Sequence, residues 1–526
     1  MSVEQSQLLD ESVVEAKSKR RGLRRGRGSA AVVKPRRPGP RGWLGRGRGE
    51  DVLVEPADEF RGTTVQVCGL WPWVVGSGTP MVGVPFGRHI NTGATLCCDP
   101  VSWFQRASLI SNPSVFFLGI PGIGKTSAVM RMAVGLSAYG TIPLVLGDTR
   151  PDYTEMVRQL GGQVIGLGRN RGSLNVLDPG EAPDAARRLR AAGHDRLAEE
   201  VEADSHGLRL NMLSSLITIL RKSPPSLREE TILGSAITYL DQHHDGIPVI
   251  PDLLDVVRQA PADLRYAALD RGSDERYRDV TEELEAALIA LGPTGKFGDV
   301  FSKPTSDPMR RDRAVVYDVS AIPPSETDLR AAALLGSWSA GFAVVNVAQI
   351  LADAGLEPRR HYFVILDELH QALKAGPGLV DRVDYMTRLN RTVGVGLGMI
   401  THTMKDLDSL PNHEDRLKAL GFIERAGLVV SGGLPPAEMP KLTSVVPLST
   451  AEQKLLASWQ DPPAWDSKAG KETPPPGRGK FLVKVGGRPG IPIQLTLTEA
   501  ERRLSLSSRR WVDQSRVGLL DEGVDP

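Results

Sequence analysis

The octet GIPGIGKT at residues 119–126 restricts the possible fold more than any other stretch of this chain. It follows the apolar run SVFF (114–117) and leads into SAVMRMAVGL (127–136), whose apolar spacing suits a helix. Gly119, four residues, then Gly124, Lys125 and Thr126 form the complete phosphate-loop pattern. Glycines are needed because successive backbone N–H groups must turn inward around an anion, at positions where a Cβ would obstruct. Lys125 supplies a point charge to the β and γ phosphates, and the Thr126 hydroxyl is placed to ligate Mg2+. The following helix adds its positive N-terminal end. Gly119, Pro121, Gly122, Ile123, Gly124, Lys125, Thr126 and Ser127 are therefore the expected nucleotide contacts. A loop of this kind needs a strand before it and a helix after it, which points to an α/β architecture with a mainly parallel sheet.

Binding alone is not hydrolysis, which also requires a carboxylate near the metal and a group that activates water, both at the end of a neighbouring strand. YFVILDELH (362–370) meets this need: Phe363–Leu366 are apolar and Asp367 and Glu368 follow. Asp367 is expected to hold the Mg2+ shell and Glu368 to polarise the attacking water. A further apolar run ends in MITHT, where Thr401 and His402 are in place to report the γ phosphate. Upstream of it, RLNRTVG sets Arg388 and Arg391 three residues apart, on one face if the segment is helical. Either is a candidate arginine finger that neutralises transition-state charge in a neighbouring subunit's site.

The remaining sequence divides by pattern. The net charge of +1 conceals an asymmetry: residues 17–48 hold thirteen Lys or Arg and no acid, which leaves about −12 for the rest. Residues 1–55, rich in Gly, Pro and Arg, are expected to form a disordered basic arm, because they bury too little apolar surface to offset chain entropy. Such an arm can bind DNA through counterion release, or serve only as a solubilising tail. Residues 56–113 read as a β-rich lead-in, and 114–180 as the first part of the ATPase core. Residues 181–310 carry helical periodicity and read as an all-helical insertion. Strand patterns return in 311–450, the second part of the core. Residues 451–526 read as a Pro-rich linker, a β-hairpin and a C-terminal helix. The apolar stretch 331–352 is long enough to cross a bilayer. Because it lies between two strands of one expected sheet, a buried helix is the better reading. Cys68, Cys97 and Cys98 lack zinc-site spacing and are too few for a disulfide framework, and no secretory signal opens the chain. A cytoplasmic protein is expected.

The combined order of these segments resembles the HerA/FtsK superfamily of ring ATPases, and within it the conjugative-transfer or type IV secretion ATPases. GTPMVGVPFGRHINTGATLCCDP (78–100) is similar to the family's strand pair leading into the core. LVLGDTRPDYTEMVRQLGGQVIGLG resembles its second strand and following segment, with Asp148, Asp152, Tyr153 and the Gly161–Gly162 pair. SLNVLDPG looks like its Asn-Pro turn with Val176 in place of proline, and His402 stands where the sensor is usually glutamine. GKFLVKVGGRPGIPIQLTLTEAE resembles its C-terminal hairpin. Where the family usually carries a substantial N-terminal domain that contacts the membrane complex, only the arm and the short lead-in are expected here, with docking different or supplied by another chain. The resemblance implies a RecA-like P-loop core using ATP and Mg2+ and a homo-hexamer completed by an arginine from the next subunit. It also implies membrane components of a secretion complex as partners and a place at the cytoplasmic face of the inner membrane. A DNA-pumping coupling protein and a non-hydrolysing nucleotide switch are the alternatives.

Overall fold

The apolar runs that bracket the phosphate loop become strands of one sheet in the computed structural model, which describes residues 79–374, 394–410, 412–461 and 475–504, with Val380, Asp384, 465–466 and 471–472 between them. The strands are β1 (Pro85–His89), β2 (Thr95–Cys97), β3 (Ser114–Leu118), β4 (Thr141–Asp148), β5 (Gln163–Gly166), β6 (Val315–Asp318), β7 (His361–Leu366), β8 (Val395–Ile400) and β9 (Leu428–Ser431). A two-residue ladder, β10 (Trp465–Asp466) with β11 (Lys471–Glu472), stands apart, and β12 (Lys480–Lys484) and β13 (Ile491–Leu495) close the series. Among the described residues, eleven strands form the main sheet in the order β2-β1-β13-β12-β9-β3-β8-β7-β4-β6-β5.

From β9 to β5 every pairing is parallel. These strands are apolar almost throughout because both faces are covered. Side chains alternate between two cores. Phe116, Leu118, Leu144, Leu146, Val364 and Leu366 belong to one. Val115, Phe117, Val145, Phe363 and Ile365 belong to the other, with Val129, Met132 and Leu136 of helix α1 (Lys125–Ala138). The remaining four strands pair antiparallel, and β1 joins β13 through Gly87 opposite Leu495. The lead-in and the C-terminal hairpin, some four hundred residues apart in sequence, thus extend the same sheet edge.

Between β5 and β6 lie six α-helices and one 3-10 turn, among them α2 (Ala182–Ala191) and α3 (Asp195–Arg221). Leu213, Leu216 and Ile217 of α3 run into the same core as the sheet. Helix α4 (Thr327–Asp353) is the apolar stretch considered as a bilayer span, and it packs on the sheet through Leu334, Trp338 and Phe342. Of its most apolar eighteen residues, 72 % are buried. Gly341 permits this approach, since a Cβ there would lie 2.5 Å from Leu146 Cδ1.

Candidate nucleotide-binding active site

The phosphate loop leaves β3 and enters α1 with Gly119, Gly122 and Gly124 at φ +152°, +81° and +101°. These are angles that side chains with a Cβ rarely adopt. Gly124 is the N-cap of α1 and, having no side chain, caps none of the first-turn amides. Thr126 and Ser127 occupy that turn and are half-buried. The Lys125 ammonium is buried and donates to the Gly119 carbonyl, to the Ile120 carbonyl at 3.2 Å and to His402 Nδ1 at 3.0 Å.

β8 is locked to the loop. The Thr401 N–H donates to the Phe117 carbonyl at 3.1 Å, and the Gly119 N–H to the His402 carbonyl at 3.0 Å. β7 lies one strand further away, in register Leu366 to Met399. The expectation that Asp367 and Glu368 stand on a strand neighbouring the phosphate-loop strand is therefore corrected: β8 intervenes. Carboxylates one strand removed leave a gap between themselves and the loop, and His402 bridges it. Its Nε2 lies 3.3 Å from Glu368 Oε1. Because an ammonium only donates, Lys125 makes Nδ1 an acceptor, and Nε2 then carries hydrogen toward Glu368. Glu368 itself has φ +52°, a left-handed conformation for a non-glycine residue held directly after the strand.

Two further side chains complete the cluster. The Tyr153 hydroxyl donates to Asp367 Oδ2 at 3.2 Å, and the Tyr153 backbone N–H donates to Asp148 Oδ2 at 2.8 Å. His370 Nδ1 lies 3.6 Å from Glu368 Oε2, and its ring is 5.7 Å from that of His402. Sequence reasoning assigned no site role to either Tyr153 or His370. The only signal for Tyr153 was its place in the turn after the second strand, and its partner lies 214 residues away.

Burial sets the electrostatics. It pulls the Lys125 ammonium down to about 8 against the opposing pull of Asp367 and Glu368. It pushes the Asp367 carboxyl up to about 6, aided by the charge of Glu368, and Asp148 up to about 8. Burial also raises Glu368, but the hydrogen bond from His402 and nearby positive charge outweigh it and hold that group at about 2. Glu368 is thus the more readily ionised member of the pair.

The donor set suits a nucleotide-borne Mg2+. Thr126 and Asp367 offer a hydroxyl and a carboxylate, hard oxygen ligands that leave room for phosphates and water. Thr401 Oγ1 is buried next to the loop and, among the described residues, has no hydrogen-bond partner. Among the described residues, no group of three or more His, Cys, Asp or Glu could hold a metal alone. Arg388 and Arg391 lie outside the described residues.

No family model matches the sequence, and no curated protein matches it. Solved structures do. VirB4 of Thermoanaerobacter pseudethanolicus aligns at 17 % identity over 82 % of this chain and 100 % of its own, with a TM-score of 0.56. The plasmid coupling protein TrwB, in complex with the ATP analogue ADPNP, aligns at 12 % identity over 81 % of this chain and 93 % of its own, with a TM-score of 0.47. The cytoplasmic domain of the type VII secretion ATPase EccC of Thermomonospora curvata covers 84 % of this chain with 32 % of its own, at 13 % identity and a TM-score of 0.31. The phosphate loop, the parallel sheet and the alignment with VirB4 together give this chain its fold class, a P-loop α/β core with a mainly parallel sheet, the fold that VirB4 has.

Proposed function

We propose that this chain is an ATP-hydrolysing ring motor that energises conjugative DNA transfer or type IV secretion at the cytoplasmic face of the membrane. The observation that carries the reading is the meeting of Lys125, Asp367, Glu368 and His402 beyond the C-terminal ends of the central strands β3, β8 and β7, with up to 277 residues between hydrogen-bonded partners. A phosphate cradle, a metal carboxylate, an ionised second carboxylate and a bridging sensor are the parts that phosphoryl transfer to water requires.

In this mechanism the loop amides and Lys125 hold the β and γ phosphates, while Thr126 and Asp367 would hold a divalent ion, which would supply screening of phosphate charge. Glu368 orients a water against the γ phosphorus. As the new P–O bond forms, the bond to the β–γ bridging oxygen breaks, ADP leaves, and the water proton passes to Glu368. His402 binds both Lys125 and Glu368, so a γ phosphate that draws Lys125 forward also changes the hydrogen bonding of Glu368. Arg388 or Arg391 of the next subunit would supply the remaining transition-state charge, and movement of the helical insertion would deliver the work.

Steady-state hydrolysis by the purified chain, with and without DNA, tests the reading. Glu368→Gln should lower turnover at least a hundredfold while ATP still binds, and substantial surviving hydrolysis would remove Glu368 as the base. The thirteen basic residues of 17–48 favour a second reading, a coupling protein that grips DNA directly. DNA-stimulated hydrolysis with a steep salt dependence would select it.

A further inference from the structure

The segment Pro475–Lys480, which leads into β12, lies against the phosphate loop. The Gly479 N–H donates to the Ile123 carbonyl at 2.9 Å, and a Cβ on Gly124 would stand 3.8 Å from the Gly479 nitrogen. The segment is held in one shape. Arg478 N–H donates to the Pro475 carbonyl and Lys480 N–H to the Gly477 carbonyl, each at 3.0 Å. Gln494 Nε2 donates to the Arg478 carbonyl at 3.3 Å. Gly477 has no room for a side chain, since a Cβ there would fall 1.9 Å from the Trp459 carbonyl oxygen. On this fixed turn Arg478 is exposed, and among the described residues its guanidinium has no ion pair or hydrogen bond. An unpaired cation is thus anchored one residue from a direct contact to the phosphate loop.

Sheet order tells which end of a nucleotide it faces. β3 has β8 on one side and β9 on the other, and β12 follows β9. The hydrolytic groups on β8 and β7 occupy one flank of the loop and Arg478 the opposite flank. A nucleotide with its γ phosphate beside His402 and Glu368 directs its nucleoside toward the β12 flank. The phosphates already have Lys125 and the α1 amides, whereas no residue assigned so far reaches the nucleoside. A planar guanidinium can stack on a purine face and bond to ribose oxygens. The geometry points to Arg478 as a nucleoside-binding residue of this site, one that reads the ribose and purine rather than the phosphates. This rests on the nucleotide-hydrolase reading above.

Calorimetric titration of the full chain with ADP and with inorganic tripolyphosphate tests it, with Lys125→Ala as the control for the cradle. Arg478→Ala should weaken ADP about tenfold and leave tripolyphosphate within twofold, as expected for one desolvated stacking and hydrogen-bonding group. Arg478→Lys should recover only part of the loss. Unchanged ADP affinity in Arg478→Ala, or equal weakening of ADP and tripolyphosphate, would overturn the assignment. If the wild-type chain bound neither ligand, or bound both regardless of Lys125→Ala, the nucleotide reading itself would fall, and this proposal with it. The two failures therefore look different.

Discussion

His402 occupies a position that in the resembled family is usually glutamine, and both its ring nitrogens are engaged. A base works best with a pKa near the working pH, and Glu368 at about 2 is far below that. Its basicity is suppressed as long as His402 donates to it, so turnover requires that hydrogen bond to weaken when the γ phosphate engages the ring. His402→Ala should therefore lower kcat at least tenfold while nucleotide affinity, set mainly by the loop and Lys125, changes less than about threefold. Steady-state kinetics beside calorimetry would check this, and an unchanged kcat would exclude the coupling. Tyr153 is the buried donor to Asp367. Tyr153→Phe removes that hydrogen bond but keeps the packing, so the Mg2+ concentration for half-maximal hydrolysis should rise several-fold with little change in Tm. Lys125, Asp367, Glu368 and His402 were legible in the sequence because each belongs to a short motif at a strand end. Tyr153 was not legible as a ligand positioner, because its role depends on β4 lying beside β7.

At the scale of elements, Glu357 ties the helical insertion to the core. It accepts from Arg188 of α2 at 2.8 Å, from Arg360 at 2.7 Å and from Arg311, which also binds Glu181. Burial raises this carboxyl, but the three guanidinium groups outweigh it and hold it at about 2, below its ordinary 4.5. A depressed acid stabilises the fold above its unfolded pKa, and that contribution is lost as pH falls through the folded one. Glu357→Gln should cost about 3 kcal/mol at pH 7, the linkage value for a carboxyl held at about 2 instead of 4.5. The deficit should shrink between about pH 4.5 and pH 2, as denaturant titrations at several pH values would show. A constant deficit across that range would remove the charge as its cause. Helix α4 carries a second lesson at this scale. Its composition alone allows a bilayer span or a core helix, and burial against Leu146 and its neighbours decides for the core.

At the scale of the whole molecule, the proposed ring needs each site to be completed by a neighbouring subunit. If the site is completed by a neighbour's arginine, Arg388→Ala or Arg391→Ala should abolish turnover while ATP binding persists, and mixing with wild type should depress activity beyond simple dilution. A mass with ATP near six times 56.9 kDa would accompany it. Removal of residues 1–55 should lower any DNA stimulation and flatten its salt dependence if the arm tethers DNA. Equal stimulation without the arm would leave it a tail.

The sequence by itself determined the parts: a phosphate loop flanked by strand and helix, a second carboxylate pair after an apolar run, a helical stretch between them, and a terminal hairpin. These are local patterns, written in spacing and in the chemistry of adjacent residues. Tertiary structure decided what stands beside what. Strand order inserted β8 between β3 and β7, which made His402 a bridge, and it brought Tyr153 to Asp367. It also joined β1 to β13 and set the Pro475–Lys480 turn against GIPGIGKT. Pairing between distant strands is selected by the burial of both sheet faces together, a property of the assembled core that no single segment carries.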